Sequence, residues 1–179
     1  MAQLRDGSQG PTVLQDGATV LVVGGGPGGA FFAIRLLKQA QQSGRKINVV
    51  IIEKKKELKF SGAELSVCMR EGCNYCAGGI SPKLTDVLAA DGLTLPDDIL
   101  QSEFESLTVH GGWKNIKLSV PEGRRMSSVF RGSRPRNRPA RYENFDSYML
   151  EKAAELGATV ITGEVHDVRY SDDRKPVAT

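Results

Sequence analysis

The chain has 179 residues, of which 40% are hydrophobic and 25% charged, and its net charge is +3 at pH 7. This composition is typical of a globular protein and excludes wholesale disorder, and so small a positive charge does not by itself indicate nucleic-acid binding. No apolar run approaches the roughly 20 residues that a bilayer span needs, so no transmembrane segment is predicted. Residues 1 to 17 are polar and lack the apolar core of a signal peptide, which predicts a flexible leader on a cytoplasmic protein.

The first elements after the leader are predicted to form one β-α-β unit. Residues 18 to 23 are a β-branched apolar run that ends in glycines, which is typical of a strand buried on both faces of a parallel sheet. Residues 28 to 43 place apolar side chains three and four positions apart, so a helix is expected to run up to Gly44. Residues 46 to 52 predict a second buried strand.

Residues 54 to 140 are less regular and predict an insertion outside the central sheet. Within it, a short helix is expected at 81 to 90, and a hairpin at 107 to 120 that turns at Gly111 and Gly112. A second main helix begins near Asn144 and ends at Gly157, and strands are expected at 158–161 and 165–170. The predicted fold class is therefore α/β, with a Rossmann-like parallel sheet in one domain of residues 18 to 179 and an irregular excursion between the second strand and the second main helix.

The glycines after the first strand match the pattern G-x-G-x-x-G between a predicted strand and a predicted helix. Gly24 permits a tight turn, Gly26 lets the backbone approach a pyrophosphate, and Gly29 lets the helix pack closely against the strand. Gly28 belongs to the first helical turn, whose N–H groups and positive dipole end would face the phosphates. The motif predicts a dinucleotide-binding site.

Glu53 ends the second predicted strand, 24 residues after Gly29. A carboxylate at this position can accept hydrogen bonds from both hydroxyls of an adenosine ribose, and it would repel a 2′-phosphate. The site therefore favours FAD or NAD over NADP, although the adjacent Lys54 could offset part of the repulsion. At an exposed strand end, Glu53 is expected to contribute little to fold stability.

Three further segments carry a resemblance to a known family. Residues 141 to 150 resemble an R-x-x-F-D-x-x-L entry to a helix, and residues 76 to 79 resemble a Cys-x-x-Gly loop beside a flavin. Val165 looks like the position whose backbone meets the adenine. Together with the glycine turn and Glu53, these segments resemble the FAD-binding domain of flavoproteins related to glutathione reductase, in the branch of geranylgeranyl reductases and aromatic hydroxylases. The resemblance covers residues 18 to 170.

This resemblance implies a flavin-dependent oxidoreductase that passes a hydride from NAD(P)H through FAD to a small-molecule or lipid-like substrate. The cofactor contacts that it implies beyond the glycine turn, Glu53 and Lys54 are at Cys76, Ala77, Gly79, Arg141 and Val165. The family continues into further strands and a substrate domain, so the remaining flavoprotein domains are expected after Thr179, and this segment alone is expected to be inactive.

Arg141 is open to two interpretations. Its guanidinium could pair with the flavin pyrophosphate through a bidentate fork. Alternatively, it could start the second main helix and pair with Glu143 or Asp146.

The three cysteines, Cys68, Cys73 and Cys76, are also open to more than one interpretation. Cys68 and Cys73 resemble the C-x4-C redox pair of flavin disulfide reductases, and Cys73 and Cys76 are the candidates for a catalytic thiol. The segment lacks the fourth ligand of an iron–sulfur cluster, so no metal site is predicted. Buried, inert thiols are the remaining interpretation.

An arginine cluster runs from Arg124 to Arg141. Two prolines within it disfavour a helix, and no aromatic residues alternate with the arginines as stacking on nucleic acid would need. We expect a solvated basic loop, with an acidic partner or a nicotinamide-cofactor phosphate as the second possibility. If the chain is not part of an enzyme, the alternative is a non-catalytic nucleotide-binding module whose basic loop docks a partner.

Overall fold

The computed structural model of the chain describes residues 13–54, 78–132, 142, 144–172 and 176–179. The elements, in chain order, are β1 (Thr19–Val23), α1 (Pro27–Gln42), β2 (Asn48–Glu53), β3 (Gly79–Ile80), α2 (Pro82–Ala90), β4 (Leu100–Phe104), β5 (Ser106–His110), β6 (Asn115–Ser119), β7 (Met126–Val129), α3 (Phe145–Glu155), β8 (Thr159–Thr162), β9 (Val168–Tyr170) and β10 (Pro176–Ala178). A single 3-10 turn, Pro121–Gly123, precedes β7. None of the described helices combines the length and apolarity that crossing a membrane requires.

A parallel sheet of three strands in the order β1-β2-β8 forms the centre of the fold. Its register places Val22 beside Ile51, and Ile51 beside Val160. The side chains on one face of this sheet share a buried core with α1 and α3, to which Ile34 and Leu150 contribute fully buried side chains. The predicted α/β class with a parallel sheet is confirmed, because the β-branched runs and the helical spacing are local signals that the packing does not override.

The opposite face of the central sheet is exposed in the described part of the chain. Leu21, Val23 and Ile161 alternate with the core side chains and are 41%, 57% and 47% exposed. The prediction that the first strand is buried on both faces is therefore wrong. A continuous apolar run is compatible with a parallel strand whether or not a second layer covers the sheet. The run alone therefore does not predict whether one face or both faces of the sheet are covered.

The predicted insertion contains a second sheet, which is antiparallel and has the order β3-β7-β4. This second sheet lies outside the central sheet, as predicted. The insertion is not merely irregular, however, because Ile80, Ile99 and Val129 join the same buried core as β1 and β2. The helix expected at 81 to 90 is α2, and the hairpin expected at 107 to 120 is formed by β5 and β6.

Two predicted boundaries change in the structure. The strand expected at 165 to 170 is shorter, and as β9 it pairs antiparallel with β10 rather than with the central sheet. At the other end, Gly17 N–H donates to the carbonyl of Lys46 at 2.7 Å, and Lys46 N–H donates to Asp16 Oδ1 at 2.6 Å. The chain is therefore held against the start of β2 before Ala18, where the leader was expected to be flexible.

A buried ion pair joins the beginning of α3 to the end of β7. The Arg131 guanidinium donates to both carboxylate oxygens of Asp146, which is almost fully buried, and the longer of the two bonds is 3.2 Å. Phe145 N–H donates to the carbonyl of Phe130 at 2.7 Å in the same place. Asp146 is 1% exposed and Arg131 23%, and a buried carboxylate left without its partner is costly, so we expect this contact to position α3.

The hydroxyl of Tyr148 holds α3 to the chain that follows α2. It donates to the carbonyl of Thr94 at 2.8 Å, and the ring packs edge-on against Tyr142. Burial, followed by the neighbouring Tyr142 and Glu155, raises the pKa of Tyr148 to about 12. The hydroxyl therefore stays protonated and remains a donor at neutral pH.

Replacing Gly29 by Ala should destabilise the fold, because the new Cβ would lie 2.0 Å from the carbonyl oxygen of Gly24. The backbone would have to move, and overpacking of this kind typically costs about 1–3 kcal/mol. Gly28→Ala is the matched control: its Cβ would meet nothing within 4 Å, and Ala is favoured over Gly in a helix by about 0.5–1 kcal/mol. Urea unfolding of both variants measures the difference, and equal stabilities would contradict the close packing of turn and helix.

Candidate functional site

A cleft with a volume of about 300 Å³ opens where the three central strands end. The carboxyl ends of parallel strands meet at one edge of a sheet, so this cleft collects residues from three distant segments of the chain. Its lining residues are Val23, Gly24, Ile52, Glu53, Lys54, Gly163, Glu164 and Val165. Four of the predicted site residues, Gly24, Glu53, Lys54 and Val165, are thus brought together.

The glycine turn between β1 and α1 is held tightly against its surroundings. Gly24 has a φ of +96°, a conformation that favours glycine, and its N–H donates to the carbonyl of Ile52 at 2.8 Å. A Cβ at Gly25 would lie 3.1 Å from Leu150 Cδ1 and 3.2 Å from Glu53 Oε2. The turn therefore packs against both the end of β2 and helix α3.

Glu53 is buried beneath this turn, with only 5% of its surface exposed. Gly25 N–H donates to Glu53 Oε2 at 2.6 Å. The expectation of an exposed strand end is wrong, because Glu53 follows Val49 and Ile51 on the face of β2 that packs into the core. A carboxylate has about four acceptor positions, so it can accept further hydrogen bonds from a bound molecule while it holds the turn.

The beginning of α1 differs from that of the other two described α-helices. Helix α2 is capped by Ser81 Oγ, which accepts from Leu84 N–H at 3.2 Å, and α3 by Asn144 Oδ1, which accepts from Ser147 N–H at 2.9 Å. Helix α1 has Gly26 as its N-cap residue, so it has no side-chain cap, and its first turn contains no acidic residue. Its first-turn N–H groups and positive dipole end are suited to an anion.

Space beside this helix start is provided by Gly26. A Cβ built on Gly26 would meet nothing within 4 Å, and its backbone has φ −65° and ψ 177°, which other residues adopt readily. Nothing within the described protein therefore requires glycine at this position. A bound group that approaches the backbone closely would require it.

A second carboxylate, Glu164, lines the cleft and was not predicted. It lies opposite Lys54, with 3.9 Å between Lys54 Nζ and Glu164 Oε1, and both side chains are largely exposed. The sequence does contain a signal for it, because Glu164 follows the end of β8 as Glu53 ends β2. The described lining thus carries two carboxylates and one ammonium group.

The other predicted cofactor residues are not part of the described cleft. Gly79 pairs with Ser128 in the second sheet. The close approach at the preceding Gly78 is to protein rather than to a flavin, since its Cβ would lie 2.0 Å from the carbonyl oxygen of Val129. The remaining predicted residues, Cys68, Cys73, Cys76, Ala77 and Arg141, lie outside the described residues.

Three arginines of the predicted basic loop are paired in the structure. Arg124 Nη2 donates to both carboxylate oxygens of Asp86, at 2.7 and 2.8 Å, and Arg125 Nε donates to Glu105 Oε1 at 3.0 Å. With Arg131 on Asp146, these residues fasten β7 and the turn before it to neighbouring elements. The expectation of a solvated basic loop is wrong for Arg131, which is 23% exposed and pairs with a buried carboxylate. The side chains of Arg124 and Arg125 stay in contact with solvent, 39% and 60% exposed, and the structure adds their carboxylate partners, which come from segments that only the tertiary fold brings close.

Within the part of the chain that the structure describes, no three His, Cys, Asp or Glu side chains are grouped as a metal site would require. The groups that the described cleft offers are the carboxylates of Glu53 and Glu164 and the ammonium group of Lys54, next to the uncapped start of α1.

No protein-family model matches the sequence, and no curated protein matches it either.

Proposed function

We propose that the cleft binds the ADP part of FAD, and that the chain is the Rossmann-like, FAD-binding part of a flavin-dependent oxidoreductase. The observation that carries this proposal is the start of α1, which lacks a side-chain cap and has open space at Gly26 while the other two described α-helices are capped. A diphosphate supplies both the negative charge and the acceptor oxygens that the first helical turn can bind.

The ribose would be held by Glu53. Its carboxylate is oriented by Gly25 N–H and lies in the lining of the cleft, so ribose hydroxyls could donate to it without any rearrangement of β2. The same charge disfavours a 2′-phosphate, and the offsetting effect of Lys54 is reduced because Glu164 lies 3.9 Å from its ammonium group. These charges support FAD or NAD rather than NADP.

The adenine would lie against the end of β8, where Gly163 and Val165 line the cleft together with the apolar side chains of Val23 and Ile52. Gly163 N–H donates to the carbonyl of Glu53 at 2.9 Å, so the segment after β8 is joined to the ribose-binding position. Apolar walls with a few fixed polar groups are the usual composition of a nucleotide pocket.

Bound FAD would supply the redox chemistry, accepting a hydride from NAD(P)H and passing it to the substrate. The described residues bind and orient the nucleotide. The start of α1 holds the diphosphate, and the buried carboxylate of Glu53 both holds the ribose and keeps the glycine turn in place. No thiol step is proposed, because Cys73 and Cys76 lie outside the described residues.

Gly26→Ala should weaken ADP binding by roughly ten-fold or more, because its methyl group would occupy the space where the diphosphate approaches the backbone. Its unfolding free energy should fall by no more than about 1 kcal/mol, the cost of Ala in place of Gly at an N-cap, since the Cβ meets no protein atom within 4 Å. Calorimetric titration with ADP measures the affinity, and the control is Gly112→Ala in the β5–β6 hairpin, whose Cβ would also meet nothing within 4 Å and which should bind ADP like the native chain. Native ADP affinity in Gly26→Ala would contradict the proposed diphosphate site.

Glu53→Gln keeps an acceptor for Gly25 N–H but removes the charge, so it separates ribose recognition from support of the turn. We expect ADP affinity to fall about five-fold, since hydrogen bonds to a neutral acceptor are about 1 kcal/mol weaker than those to a charged one. The preference for ADP over ADP carrying a 2′-phosphate should shrink as well.

Glu155 is an exposed carboxylate on α3, so Glu155→Gln is the control for that experiment. Its preference for ADP over ADP carrying a 2′-phosphate should match that of the native chain. An unchanged preference in Glu53→Gln would contradict the role of Glu53 as the ribose-recognising charge.

A further inference from the structure

The hairpin of β5 and β6 has an apolar face that no described element covers. Leu107 pairs with Leu118 and Val109 with Ile116, and because side chains alternate along a strand, all four lie on the same face. Each of these four side chains is about half exposed. Among the described strands, β5 and β6 pair only with each other, whereas β4, from which β5 continues, belongs to the second sheet. The hairpin thus extends from that sheet.

Trp113 lies at the tip of this hairpin and is 99% exposed. It follows Gly111 and Gly112 in a turn that is closed by a 2.9 Å hydrogen bond from Gly111 N–H to the carbonyl of Lys114. A tryptophan that is so exposed in the described structure contributes little to the fold. Its ring combines a large apolar surface with one N–H donor, which suits the boundary between lipid headgroups and acyl chains.

The charges of the hairpin are all of one sign. Between Ser106 and Ser119 the only charged residues are Lys114, beside Trp113, and Lys117, on the face opposite the apolar side chains. The acidic residue nearest to the hairpin in the sequence, Glu105, is paired with Arg125 at 3.0 Å. The hairpin therefore combines apolar surface, an interfacial aromatic ring and uncompensated positive charge.

We propose that this hairpin docks the protein on an anionic lipid surface, with Trp113 at the level of the headgroups. Lysines close to such a surface attract anionic lipids while the apolar face enters the headgroup region. A second copy of the chain fits less well, because it would bring two more lysines to the interface and no carboxylate from the hairpin to pair with them. This proposal does not depend on the nucleotide site.

The emission of Trp113 provides a specific test, because it is the only tryptophan in the chain. The full 179-residue chain is mixed with vesicles of phosphatidylcholine alone and with vesicles containing about a third phosphatidylglycerol, a strongly anionic surface. We expect the anionic vesicles to shift the emission to shorter wavelength, and lipids brominated on their acyl chains to quench it. Added salt should release the protein from the vesicles.

The double variant Lys114→Gln/Lys117→Gln should bind the anionic vesicles at least about five-fold more weakly in co-sedimentation, the effect of Lys114 beside Trp113, and up to about thirty-fold more weakly if Lys117 on the far face contributes equally. Lys46→Gln/Lys83→Gln removes two exposed lysines elsewhere and should bind like the native chain. Circular dichroism of each variant verifies that it is folded.

Three results would overturn the proposal. One is the absence of any emission shift or pelleting with anionic vesicles, and another is equal binding by the two double variants. The third is an emission shift that appears on raising the protein concentration without lipid, together with a dimer in sedimentation velocity, which would assign the hairpin to contact between copies.

Discussion

The hydrogen bond from Gly25 N–H to the buried carboxylate of Glu53 is the contact on which the geometry of the cleft depends. Removing a carboxylate from water is costly unless donors replace the water, and here the glycine turn supplies a donor at 2.6 Å. The contact joins the end of β2 to the turn that begins α1. Leu150 of α3 approaches the same position, so a Cβ at Gly25 would be tightly packed on two sides, 3.1 Å from Leu150 Cδ1 and 3.2 Å from Glu53 Oε2.

This constraint explains why the polar groups at the start of α1 lie beside a carboxylate rather than apart from it. The turn directs the first-turn N–H groups of α1 to the edge of the sheet where β2 and β8 also end. A carboxylate and the uncapped N–H groups at the start of α1 thus belong to one end of the sheet, an arrangement that would suit a ligand carrying hydroxyls next to phosphates. The pair between Arg131 and the buried Asp146 supports the same arrangement, because it positions α3, whose Leu150 packs against the turn at Gly25.

Much of the fold follows from local patterns in the sequence. The β-α-β unit, helix α2 and the β5–β6 hairpin are predicted because β-branched runs, helical spacing and a glycine pair determine them over short distances. Three features could not be predicted in this way: the burial of Glu53, the pairing of Asp146 with Arg131, and the exposure of Leu21. Each depends on which distant segment packs against the residue, and a single sequence carries no local signal for that choice. Glu164 is intermediate, because its position after a predicted strand was a usable signal.

The central claim is that the glycine turn and the end of β2 form one nucleotide-binding surface. Amide chemical shifts of the ¹⁵N-labelled chain during a titration with ADP test it most directly. The account predicts that the amide signals of Gly26, Gly28 and Glu53 move together and saturate at one ADP concentration, while those of Gly111 and Gly112 in the hairpin do not move. Signals of the glycine turn that stay in place when ADP is saturating, or that move without Glu53, would contradict it.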